Sequence, residues 1–166
     1  MNDRNRSSLW AAILGSLILV ACASTPFDLE QRPLSDWSPV QALHDPAARG
    51  ERAMWGGEIV GVDNRAEQTL VEVIALPLGR QGQPLTDEQP GARFVFSAPG
   101  FLEPVVYAPG RYITVVGIID GQQRLPAGAT IILAPRLQAE DWHLWPRDQQ
   151  RWRSNVQVGF GFGVRF

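Results

Sequence analysis

The chain contains no lysine: all 15 of its positive side chains are arginine, set against 17 acidic residues. None of the arginines forms a run long enough to neutralise a row of phosphates, so at a formal net charge of -2 nucleic acid is excluded as a partner. There is a single cysteine, Cys22, which rules out an intramolecular disulfide and asks for another use of that thiol. Only two histidines are present, His44 and His143, too few and too far apart in sequence for a histidine-based metal centre. The longest apolar run, Leu9 to Val20, falls short of the roughly 20 residues that a membrane-crossing helix needs.

What is abundant is punctuation. Within 166 residues there are 16 Gly and 13 Pro, which cut the chain into short pieces and favour strands joined by turns over long helices. Hydrophobic residues at 45% and charged residues at 19% belong to a chain that folds around a core. The length suits one domain.

Arg4 and Arg6 precede the Leu9 to Val20 run, which is broken only by Gly15 and Ser16, and this is the layout of an export signal. The run ends in Leu19, Val20, Ala21 and Cys22. That ending resembles the lipobox of bacterial lipoproteins, which implies cleavage after residue 21 and acylation of Cys22. More than one acyl chain makes such an anchor durable. Ala23 and Ser24 follow, without the Asp that commonly retains such lipoproteins in the inner membrane. The expected location is therefore the outer membrane, with the domain facing the periplasm. The mature chain would carry 13 Arg against 16 acidic residues.

Residues 22–37 are polar, contain Pro26 and Pro33, hold no period, and read as a lipid-anchored tether of roughly 20 Å. Ser38 before Pro39, and Asp45 before Pro46, each place a capping side chain ahead of a proline, predicting two short helical turns that stop at Gly50. Strands are expected over 53–63, 69–77, 93–98 and 111–120, the last with a bend or bulge at Gly117. A fifth is expected over 130–145, interrupted at Pro135. Residues 78–92 form a long loop. Alternation in the first two strands is leaky, as in a barrel whose outer wall is partly covered. The fold class is all-β: a five-stranded OB-like barrel or an antiparallel sandwich, occupying residues 38–146. Residues 147–166 then form an Arg-rich linker and a C-terminal strand, since Val156, Val158, Phe160, Phe162, Val164 and Phe166 alternate strictly with small or polar residues. That strand would pair with the domain's own sheet or with a partner's.

Four segments carry a resemblance: Trp55-Gly56-Gly57-Glu58-Ile59, Glu72-Val73 leading to Leu76-Pro77-Leu78, Gly100-Phe101-Leu102-Glu103-Pro104, and Gly110 to Val115 with Gly117. In this order they resemble the Slp family of starvation-inducible outer-membrane lipoproteins, over roughly Pro39 to Gly121, with an echo at His143-Leu144-Trp145. The resemblance implies an envelope location, a lipid anchor and an association with starvation or stress. It brings no enzyme activity and no catalytic residue. Gly56 and Gly57 fit a need for tight turns or close backbone approach at a strand start. After Gly121 the chain departs from the pattern, and Gln122 to Ala129 is short.

Other chemistry finds little support. Glu140, Asp141 and His143 suggest a metal site with too few ligands, and no Gly-x-Ser-x-Gly elbow is present. Glu58, Glu72 and Glu103 read as a solvated face. Gly159, Gly161 and Gly163 have the wrong spacing for a nucleotide loop. No cofactor, metal or catalytic residue is expected. The favoured reading is a non-enzymatic lipoprotein that binds a protein or envelope component. The alternative is a small-ligand binder with an OB-like cleft near Trp55, Arg93 and Tyr112. Trp37, Trp142, Trp145 and Trp152 would serve packing or a membrane interface.

Overall fold

The computed structural model describes residues 26–27 and 33–147. Cys22, the export signal, Trp152 and the alternating strand expected over 156–166 lie outside the described residues.

Five strands form a closed barrel in the order β1-β2-β3-β5-β4, with β1 at Arg52–Asn64, β2 at Gln68–Leu76, β3 at Arg93–Pro99, β4 at Tyr112–Ala127 and β5 at Thr130–Leu144. All neighbours are antiparallel except β3 and β5, which run parallel over a short register from Val95↔Arg136 to Ser97↔Gln138. This is the strand order of the OB-like alternative, and the sandwich is set aside. Trp55, Ile59, Val71, Val73, Phe94, Phe96, Ile113, Val115 and Leu137 fill the interior. Trp55 meets Phe94 edge-on at 5.4 Å between ring centroids, a favoured aromatic geometry. One end is covered by a helix, α1 (Pro39–His44), and a 3-10 turn (Pro46–Ala48), through Ala42 and Ala48. Ser38 and Gln41 form the capping box, and the Asp45 side chain accepts from Ala47 N, as the Ser-Pro and Asp-Pro pairs predict.

Three departures from the expected pattern have physical causes. First, β4 does not stop near Asp120 and β5 is not broken at Pro135. Both run on as a hairpin, paired as far as Ala127↔Thr130, with Gly128 at φ +62° in the turn. Bulges between Val116 and Gly117 and between Ile119 and Gly121 turn this arm out of the barrel. Pro135 precedes the pairing of β5 with β3, so it sits where β5 has one partner and a missing N–H is tolerated. Second, the arm lies on the outer wall, where Leu125, Ile132 and Ala134 pack on Leu70 and Val95. That cover is why Leu70 and Val95, on the outward faces of β2 and β3, are apolar and alternation is leaky. Third, the stretch expected to be a flexible tether makes specific contacts with the barrel at several of its described residues. Phe27 is buried, Ser35 donates from both N and Oγ to Arg52 O, and Trp37 O accepts from Trp55 Nε1 at 2.7 Å.

Gly56 and Gly57 lie well inside β1, not at its start. A Cβ on Gly57 would come within 1.9 Å of Ile74 O, so close backbone approach, not a turn, demands glycine there.

Candidate functional site: an apolar groove at one end of the barrel

The chain leading into α1 does not lie flat on the barrel. Leu34, Trp37, Pro39 and Val40 stand opposite Met54, Trp55, Ala75 and Leu78 and enclose an open groove of about 480 Å³. Trp37 precedes the Ser38 cap, and the Trp37 O to Trp55 Nε1 bond fixes both sides at once. Because this bond satisfies the indole N–H, Trp55 turns only carbon toward the cavity. Val40 is 49% exposed at the mouth. Among the described residues Asp36 is the one charged residue in the lining, and no cation lines it.

Phe27 reaches this region from the N-terminal side. It packs edge-on against His143 at 6.3 Å, and His143 stacks in turn on Trp145 at 4.6 Å. Both Phe27 and Met54 flank Gly82, where an added Cβ would meet the Phe27 ring at 3.4 Å and the Met54 sulfur at 3.5 Å. Gly82 O accepts from Thr114 Oγ1, which pins the 79–85 loop to the outer wall.

The three residues named for a cleft do not share one. Trp55 faces inward and lines the groove. Arg93, Ile74, Glu58 and Tyr112 occupy one register row across four strands on the outer face, so Arg93 and Tyr112 stand about 14 Å apart at its ends. Arg93 pairs with Glu72 at 2.5 Å, and Tyr112 lines a separate depression with Arg111 and Arg147. The face between the β1–β2 turn and the β4–β5 hairpin, where OB-folds commonly bind ligands, is partly covered by Leu125 and its neighbours, leaving a depression of about 280 Å³.

Charged groups elsewhere are structural. Arg136 forms a two-pronged pair with Asp120 at 2.8 and 2.9 Å, and this hydrogen bonding holds the guanidinium above its ordinary pKa. Arg111 donates to Val106 O and Trp145 O; burial, then repulsion from Arg147, lowers its pKa, with Tyr107 opposing. Glu140 pairs with Arg52 and the Asp141 side chain accepts from Trp142 N, so neither joins His143 around a metal. No group of three or more potential metal ligands occurs among the described residues.

Sequence reading missed Leu34, Trp37, Met54 and Leu78. Two large apolar residues in an otherwise polar stretch were the available signal.

Residues 19–161 match the outer membrane lipoprotein Slp family. The chain is 32% identical to the outer membrane protein Slp of Escherichia coli K12 over 111 residues, which are 65% of this chain and 58% of that protein. It is 28% identical to the uncharacterized lipoprotein YeaY of the same organism over 137 residues, 81% of this chain and 70% of the relative. It is also 30% identical to an uncharacterized protein of Haemophilus influenzae over 129 residues, 76% and 70% of the two chains. No solved structure matches.

Proposed function

The chain belongs to the outer membrane lipoprotein Slp family, and from that premise we propose how it works. Its mature form is held by acyl chains on Cys22, faces the periplasm, and acts without catalysis by binding a protein or other envelope component. The observation that carries this reading is the docking of Phe27. It lies five positions after Cys22, so an extended link spans about 17 Å at most and the barrel sits close to the bilayer. Short reach suits a binder that works at the membrane surface.

Intact mass and membrane fractionation of the expressed chain beside a Cys22→Ser form test it. Loss of residues 1–21, a gain of acyl mass and recovery in the outer membrane, all abolished by the substitution, are the expected results. Two soluble, unacylated forms would refute the anchor. The association with starvation extends to this chain under the same reading. Its level should rise on carbon starvation, and a constant level would count against that part.

The groove favours a second reading, in which the barrel binds a small ligand against Trp55. A rise in melting temperature across a ligand panel supports it, and silence across the panel opposes it.

A further inference from the structure

We propose that the groove between the α1 approach and the barrel wall takes one hydrocarbon chain of a bilayer lipid. This rests on the second reading above and names its ligand class. Three observations converge on it. The walls are carbon: Leu34, Val40, Met54, Leu78 and the face of Trp55, whose one polar atom is already bonded to Trp37 O. The charge does not favour an anion, since Asp36 is acidic and no arginine lines the cavity among the described residues, so a neutral or zwitterionic head group is the better fit. The volume of about 480 Å³ holds about 16 water-sized groups, the bulk of a single acyl chain and too little for a folded peptide element.

The membrane as source follows from the path of the chain. Phe27, five residues from Cys22, and Met54, which lines the groove, both approach Gly82. With the anchor in the bilayer, the mouth lies within reach of lipids that leave the surface. The lining also comes from segments far apart in sequence, 34–40, 54–55 and 75–78, so the cavity exists only when the N-terminal approach is docked.

The test uses the mature chain carrying Cys22→Ser, so that no attached acyl chain competes. Octyl, decyl and dodecyl maltoside are added as monomers, and tryptophan fluorescence and calorimetry are read. Each additional methylene buried should tighten binding about fourfold until the groove is full, with one chain bound per barrel. Val40→Arg, at an exposed rim position, should weaken dodecyl maltoside at least tenfold without moving the melting temperature. A second arm places the acylated wild type in vesicles of phosphatidylcholine brominated along its acyl chains. Quenching that Val40→Arg diminishes assigns the occupant to the bilayer.

Affinity independent of chain length, or equal binding by Val40→Arg, overturns the proposal. So does a groove closed by a second copy, seen as a dimer that Val40→Arg dissociates. If the wild type proves unacylated while the maltosides bind, the anchor fails and the hydrocarbon site stands.

Discussion

Replacing Gly57 by alanine should be among the most damaging single-methyl additions this barrel can receive. Gly57 lies in β1 between Ala75 of β2 and Ile113 of β4. An added Cβ would stand 1.9 Å from Ile74 O, 2.8 Å from Ile74 C and 3.0 Å from Ala75 Cα. All three are backbone atoms, so no rotamer change relieves them. Restoring ordinary contact at about 3.4 Å requires β1 and β2 to part by about 1.5 Å, enough to break hydrogen bonds whose usual N···O length is about 2.9 Å. Two ladder bonds at about 1 kcal/mol each, with about 1 to 3 kcal/mol of overpacking, give about 4 kcal/mol. Against a total stability of about 5 to 15 kcal/mol, that would lower the melting temperature by about 15 °C. Urea unfolding followed by circular dichroism measures it, with Gly61→Ala as control. No atom lies within 4 Å of a Cβ at Gly61 and its φ is not positive, so that variant should stay within about 1 kcal/mol of wild type. A loss below about 1 kcal/mol for Gly57→Ala, or an equal loss at Gly61, would refute the argument from backbone approach.

Trp55→Ala should cost about 3 to 5 kcal/mol in the same assay, and Trp55→Phe only about 1 to 2, since it keeps the ring against Phe94 but leaves Trp37 O unpaired. Asn64→Ala removes the side chain that bonds both N and O of Leu102, so about 2 kcal/mol should be lost and the Leu102 amide should exchange faster. Arg136 has a folded pKa raised by Asp120; its stabilisation is complete below its unfolded pKa and is lost only as pH climbs through the higher folded value. Titrating stability from pH 5 to 9 should therefore give the same difference between wild type and Arg136→Met throughout, and a difference that changes across that range would count against this. Phe27→Ser should leave the barrel's unfolding free energy within about 3 kcal/mol of wild type while lengthening the reach from Cys22. The first described anchor point would then be Leu34, an extended span of about 40 Å, which energy transfer between barrel and bilayer would read as a greater distance.

Much of the barrel was legible in local chemistry. Ser38-Pro39 and Asp45-Pro46 specify caps within three residues, and the Gly117 bulge and the turn between β1 and β2 follow from spacing. The β4–β5 arm was not legible, because Gly121, Pro126, Gly128 and Pro135 read as breakers when taken singly. What makes them strand residues is long-range pairing and the cover that Leu125 and Ile132 give to Leu70 and Val95. The groove was illegible for a related reason. Trp37 and Trp55 are joined by a bond from a side chain to a carbonyl 18 residues away, in a stretch with no period to mark it. Trp55 could be singled out from sequence, but whether it would face Arg93 and Tyr112 or turn away depended on its place in the inward set of β1.

The barrel therefore has two faces with opposite histories of cover. Between the β1–β2 turn and the β4–β5 hairpin, the chain covers part of its own wall, and the apolar side chains of Leu70 and Val95 meet Leu125. At the end capped by α1, the incoming segment stands off the wall and leaves carbon surface open. That segment also leads back to Phe27 and, five residues earlier, to Cys22. Two contacts hold the N-terminal approach: Trp37 on Trp55 sets the shape of the groove, and Phe27 on His143 would, with the proposed anchor at Cys22, limit how far the barrel stands from the bilayer. If Cys22 carries the proposed anchor and the groove the proposed ligand, the same N-terminal approach serves both, and Phe27→Ser and Trp37→Ala separate the two roles.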